Sequence, residues 1–123
     1  MKLLDSSLWL AHLVEAHPES SRLIETDILL FSSILTLFDV RKKLTKAGYS
    51  QEKIDLSIDF IKKRSMIIPL DEEIITRAVD VAIKNNLGMV DAIIYSSALQ
   101  VHAQLVTADN DFRKLPYVEI ITK

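Results

Sequence analysis

The chain has no cysteine, two glycines and a net charge of only −2 over 123 residues. Without cysteine there can be no disulfide, no thiolate zinc site and no cysteine nucleophile, which fits a reducing interior. With glycine only at Gly48 and Gly88, neither a P-loop nor a dinucleotide-binding glycine pattern can be written. His12, His17 and His102 match no zinc-ligand spacing and are read as scattered, partly buried histidines. The near-neutral balance gives no global basic field, so a polyanionic substrate would need local cations or a metal ion. No apolar run approaches the length of a membrane span. The sequence passes from Lys2 directly into a strand-like segment without the layout of a signal peptide. The expected location is the cytoplasm, with no membrane partner.

What is present is an ordinary globular composition, 49% hydrophobic and 26% charged, in a length that fits one domain spanning residues 1–123. Leu3-Leu4 reads as a brief strand ended by Asp5-Ser6-Ser7, where a serine is the expected N-cap of a helix carrying Leu8, Trp9, Ala11, Leu13 and Val14. His17-Pro18 breaks that helix, and Pro18-Glu19 opens a short second one through Ile24. Ile28 to Phe31 predicts a buried strand, and Ser32-Ser33 starts a helix from Ile34 to about Ala47, stopped by Gly48. Ser50 caps a helix whose Ile54, Ile58 and Ile61 share a face, and Met66 to Pro69 is a strand candidate. Asp71 caps an amphipathic helix with Ile74, Ile75, Ala78, Val79, Ala82 and Ile83. A helix from Val90, a strand at Leu105-Val106 and a last strand from Val118 to Ile121 complete the chain. Short apolar strands alternating with long amphipathic helices predict an α/β fold: a mainly parallel sheet of four to five strands with helices on both faces.

The densest chemistry lies between Leu87 and Phe112, where acids flank one helix–strand unit. In parallel sheets ligands bind beyond the carboxyl ends of the strands. Asp5 follows the first strand, Asp109 follows the strand ending near Thr107, and Asp91 opens the helix that feeds it. Asp39 lies six residues beyond Ser33, about 9 Å along its helix, and would have to point inward from an apolar stretch. Four acids in one pocket would raise one another's pKa values or recruit cations. All-oxygen ligands suit magnesium or manganese, and aspartates holding such ions are the usual equipment for hydrolysing phosphodiesters.

Taken together, Leu3-Leu4-Asp5-Ser6-Ser7-Leu8-Trp9, Ser33-Ile34-Leu35-Thr36-Leu37-Phe38-Asp39-Val40, Asp91-Ala92-Ile93-Ile94 with Ala98-Leu99, and Thr107-Ala108-Asp109-Asn110-Asp111-Phe112 resemble a PIN domain. In size and simplicity the chain is similar to the VapC-type toxin nucleases of toxin–antitoxin pairs. The resemblance covers nearly the whole chain and implies a PIN-like three-layer sandwich. It implies a Mg2+- or Mn2+-dependent endoribonuclease, whose hydrolysis leaves a 5′-phosphate and a 3′-hydroxyl. Asp5, Asp39, Asp91 and Asp109 would be the catalytic acidic tetrad, with Asp111 as a further metal-binding acid. Ser6 and Thr107 would be hydroxyls that orient the carboxylates. An RNA substrate, a cognate antitoxin and a homodimer or higher homo-oligomer are implied as partners.

Two positions depart from the family pattern. Asp39 stands where the family usually has glutamate, so its side chain is one methylene shorter and direct metal contact is left open. Ser6 stands where threonine is common, and keeps the hydroxyl. Taken singly, Asp5 and Asp91 also read as helix caps or first-turn acids, and Asp109-Asn110-Asp111 as an ordinary turn. Arg41, Lys42, Lys43 and Lys46 read mostly as a solvated helix face, with contact to RNA phosphate as the sharper alternative. Trp9 reads as core. The rival function is a catalytically degenerate PIN domain serving as a protein- or RNA-binding module.

Overall fold

Adjacent side chains of a strand point to opposite faces of the sheet, and Leu3 and Leu4, both fully buried, enter two separate cores. Leu105 and Val106 repeat the division. The computed structural model, which describes residues 1–122, therefore has helices on both faces of its sheet. The strands are β1 (Lys2–Leu4), β2 (Leu30–Ser33), β3 (Met66–Ile68), β4 (Gln104–Thr107) and β5 (Val118–Ile120). They form one five-stranded sheet in the order β3-β2-β1-β4-β5, parallel at every pairing. The expectation of a mainly parallel sheet with helices on both sides is met.

One face is covered by α1 (Ser6–Glu15), α2 (Pro18–Glu25), α3 (Ile34–Lys46) and α4 (Gln51–Arg64), which enclose Leu8, Trp9, Ile24, Val40, Leu44, Ile54, Ile58 and Ile61 with Leu4, Leu30 and Val106. The other is covered by α5 (Glu72–Asn85) and α6 (Met89–Gln100), which pack Ile74, Ala78, Ala92, Ile93 and Tyr95 against Leu3 and Leu105. Trp9 is fully buried, as core, and its indole N–H donates to Ser32 Oγ at 3.0 Å. Ser50 and Asp71 cap α4 and α5 as the sequence indicates, and Gly48 takes φ +88° just after α3, a conformation that favours glycine.

Strand β2 begins two residues later than the apolar run Ile28–Phe31 predicts. Its two serines are buried and still satisfied. Ser32 bonds Trp9 and Ser65, and Ser33 caps α3 by accepting from Leu35 N–H. On α5 only part of the apolar stripe is covered: Ile74 and Ala78 are buried, whereas Ile75, Val79 and Ile83 are 38%, 53% and 77% exposed.

The register matters for function. β1 lies at the middle of the sheet and pairs with β2 on one side and β4 on the other, with Leu4 opposite Val106. This is the point where strand order reverses, and there the carboxyl ends of neighbouring strands leave a crevice. Asp5 and Thr107 are the residues at its mouth.

Candidate metal centre

β1 ends at Leu4, and Asp5 becomes the N-cap of α1. Its Oδ1 accepts from the backbone N–H groups of Ser7 at 3.1 Å and Leu8 at 3.4 Å, and from the Ser7 hydroxyl. Its Oδ2 accepts from the Thr107 hydroxyl. The cap is thus the acid rather than the expected serine. A carboxylate accepts from the first-turn N–H groups and also answers the positive end of the helix dipole. Ser7 instead ties Asp5 to the residue just after β4, because its oxygen accepts from Ala108 N–H at 3.0 Å. Burial raises the Asp5 pKa above its usual value, against the lowering effect of these hydrogen bonds.

Asp91 sits in the first turn of α6, whose N-cap is Gly88, so it is not itself the cap. Among the described residues no hydrogen-bond donor reaches its carboxylate. Desolvation, followed by the charges of Asp109, Asp5, Asp111 and Asp39, pushes its pKa up to about 6. Asp109 caps a single 3-10 turn, Asn110–Phe112, and its Oδ1 accepts from Asp111 N–H at 2.9 Å. Its own N–H donates to Thr107 Oγ1 at 3.0 Å. The turn that Asp and Asn favour is present, and it is the device that aims two carboxylates at Asp91.

One carboxylate oxygen from each of Asp91, Asp109 and Asp111 lies within 4.8 Å of the other two. This donor set fits a hard divalent cation: three oxygens, no nitrogen or sulfur, one acid unpaired, and mutual repulsion that a cation would relieve. Asp5 and Asp39 fall outside that set, close enough for their charges to act on Asp91.

Asp39 is held differently. Its Oδ2 accepts from the Ser6 hydroxyl and forms an ion pair with Lys43 Nζ at 3.1 Å, one turn further along α3. The inward-pointing acid therefore has two partners, which answers the cost of placing it beside an apolar stretch. Of the neighbouring cations, Arg41 is engaged with Asp55 on α4 at 3.0 Å, and Lys42 lies over the Phe38 ring at 5.9 Å. Ser7 and Lys43 are the residues whose roles the sequence did not single out. Signals existed in the hydroxyl two places after Asp5 and in the i,i+4 spacing of Lys43 from Asp39.

The chain is 31% identical over 97 residues to Ribonuclease VapC6 of Methanocaldococcus jannaschii, covering 76% of this chain and 63% of that one. It is 28% identical over 104 residues to a VapC ribonuclease of Pyrococcus furiosus, covering 80% of this chain and 70% of the relative. The fold superimposes on a chain of a toxin-antitoxin complex from Klebsiella pneumoniae with a TM-score of 0.81 at 22% identity, over 97% and 96% of the two chains. The profile of the PIN domain matches residues 2–117. The chain belongs to the PIN domain family.

Proposed function

We propose that this protein is a divalent-metal-dependent endoribonuclease, a single PIN domain acting as the toxin of a toxin–antitoxin pair. The observation that carries the proposal is the convergence of Asp91, Asp109 and Asp111 at the carboxyl end of β4, beside Asp5 at the end of β1. The ribonuclease names of the two relatives support the same reading.

Asp91, Asp109 and Asp111 would hold Mg2+ or Mn2+, with Asp5 and Asp39 completing the acidic centre. When bound, the ion activates a water and neutralises charge on the phosphate. The residues of the chain prepare that centre. Thr107 and Ser7 fix Asp5, Ser6 fixes Asp39, and the turn after β4 sets Asp109 and Asp111. Asp91, with no donor of its own among the described residues, gains most from a cation. The products would be a 5′-phosphate and a 3′-hydroxyl.

A cognate antitoxin is the proposed partner and the cytoplasm the proposed compartment; among the described residues no helix is long and apolar enough to cross a membrane. Self-association is supported by the uncovered side of α5 and the start of α6, where Ile75, Val79 and Met89 line one apolar hollow with Ala82, and Ile83 is exposed one turn beyond Val79. A binding module without catalysis is not favoured: oxygens of Asp91, Asp109 and Asp111 lie within 4.8 Å of one another, a spacing that supports the nuclease reading.

Thermal unfolding with and without Mn2+ tests the reading, on wild type and Asp91→Asn. An ion at about a hundred times its dissociation constant stabilises by roughly 2.7 kcal/mol. Stabilisation of the wild type alone, with metal-dependent RNA cleavage that Asp91→Asn lacks, is the expected result. Cleavage retained by Asp91→Asn would sink the assignment.

A further inference from the structure

Asp39 and Asp91 are both acids of one centre, yet they are satisfied in opposite ways. Asp91 has no donor on its carboxylate among the described residues. Asp39 Oδ2 already carries two, the Ser6 hydroxyl and the Lys43 ammonium at 3.1 Å. The oxygens that lie within 4.8 Å of one another belong to Asp91, Asp109 and Asp111 and leave Asp39 out. Of the four charges acting on Asp91, that of Asp39 is the weakest.

The length of the side chain explains the division. A carboxylate on one methylene stays close to its own helix, within reach of a lysine one turn ahead at i,i+4. The Asp39 side chain is 23% exposed and that of Lys43 53% exposed, so the pair spans from the crevice to its rim. An ammonium at this oxygen has the same sign as a metal ion and competes for the same place. It also carries three donors and uses one on Asp39, which leaves donors for a phosphate oxygen.

We propose that Lys43 supplies the second positive charge of this centre. The Ser6–Asp39–Lys43 cluster is a built-in cation position, and a single divalent ion is held by Asp91, Asp109 and Asp111. The inference rests on the nuclease reading above and deepens it: Lys43 is a positioning residue that takes the place a second metal ion would otherwise fill. Because the ammonium is half exposed, the ion pair adds little to folding stability. Replacing it therefore reads out at the metal rather than in the fold.

The test is the number of Mn2+ ions bound per chain, by calorimetric titration and by electron paramagnetic resonance of the free ion. Wild type and Lys43→Arg are expected to bind one ion. Lys43→Met keeps the aliphatic stem and is expected to bind two, since Asp39 is released. Adding Asp39→Asn to Lys43→Met should return the number to one. Circular dichroism melting of each variant establishes that all are folded. Two ions on the wild type, or one on Lys43→Met, would overturn the inference while leaving the nuclease reading intact. No ion on the folded wild type would overturn both.

Discussion

The Thr107 hydroxyl stands between two acids, donating to Asp5 Oδ2 and accepting from the Asp109 backbone N–H at 3.0 Å. One fully buried oxygen thus sets the spacing between the end of β1 and the turn after β4. Thr107→Val keeps the shape and removes both bonds. The expected cost is about 1–3 kcal/mol, from leaving a buried carboxylate short of a donor. Mn2+ affinity should fall by roughly 10–100-fold, the usual effect of losing a group that orients a ligand. Thr107→Ser should restore both, measured by chemical denaturation and Mn2+ titration. Wild-type affinity in Thr107→Val would show that the hydroxyl does not organise the centre.

Asp91 gives a stability prediction of unusual sign. Its pKa is raised to about 6 in the folded chain, chiefly by desolvation, against a usual value of 3.8. Between those values the native state holds the proton and the unfolded state does not, so stability falls as pH rises across that window. Below it the group costs nothing; above about pH 6 the full penalty applies. Asp91 is partly exposed, and after solvent screening the penalty is of the order of 1–2 kcal/mol. Metal-free Asp91→Asn should therefore be more stable than wild type at pH 7.5 and nearly equal to it at pH 4. Equal melting temperatures at both pH values would contradict the assignment.

The same titration bears on the metal. A protonated carboxylate is a poor ligand, so Mn2+ affinity should rise steeply between about pH 5 and 7 and level off above. Asp91→Asn should bind Mn2+ poorly at every pH across this window. A flat wild-type profile would place the ion elsewhere.

Arg64 offers a prediction remote from the acids. Its guanidinium donates to the carbonyl oxygens of Ile24, Thr26 at 2.7 Å and Ile28 at 3.2 Å, closing the loop between α2 and β2. Arg64→Ala should destabilise by about 2 kcal/mol, because several charge-assisted bonds are lost at a partly buried site. Lysine lacks the planar fork, so Arg64→Lys should recover only part of the loss. Thermal melts decide the matter.

The uncovered face of α5 predicts an association constant. Ile83 is 77% exposed, one helical turn along α5 from Val79, which is 53% exposed. Ile83→Glu should weaken self-association by tenfold or more, as expected for an anchor in an interface centre. Sedimentation velocity over a concentration series would report it. A wild type that is monomeric throughout would refute the interface.

The alternation of strands and helices was legible in the sequence because apolar periodicity and caps such as Ser50 and Asp71 are local signals. The bounds of β2 are not legible, because burial of Ser32 and Ser33 depends on distant partners, Trp9 and Ser65 among them. The sequence does not separate Asp5 from the serines as the cap of α1, because all are good caps and only packing against Thr107 and Ala108 decides between them. The acids that gather near Asp91 are legible by type and order. That Asp91, Asp109 and Asp111 group closely while Asp39 turns to Lys43 is not, because side-chain reach is a property of the assembled crevice. The exposure of Ile83 was likewise hidden, since an amphipathic pattern shows a stripe but not how much of it a neighbour covers.

The pairing of β1 with β4 has a consequence for when the protein can act. Asp5 and Thr107 are 102 positions apart, so the crevice cannot close until more than a hundred residues after Asp5 have been made. At ordinary rates of synthesis, roughly 5–20 residues per second, more than a hundred residues take some 5–20 s. Late in that interval α1 to α4 are already made while Asp109 and Asp111 have yet to be added. Such a nuclease is harmless to its own ribosome until β4 and the turn after it have been made. On the reading proposed above, an inhibitor made earlier meets an inert chain, and capture can precede the first cleavage.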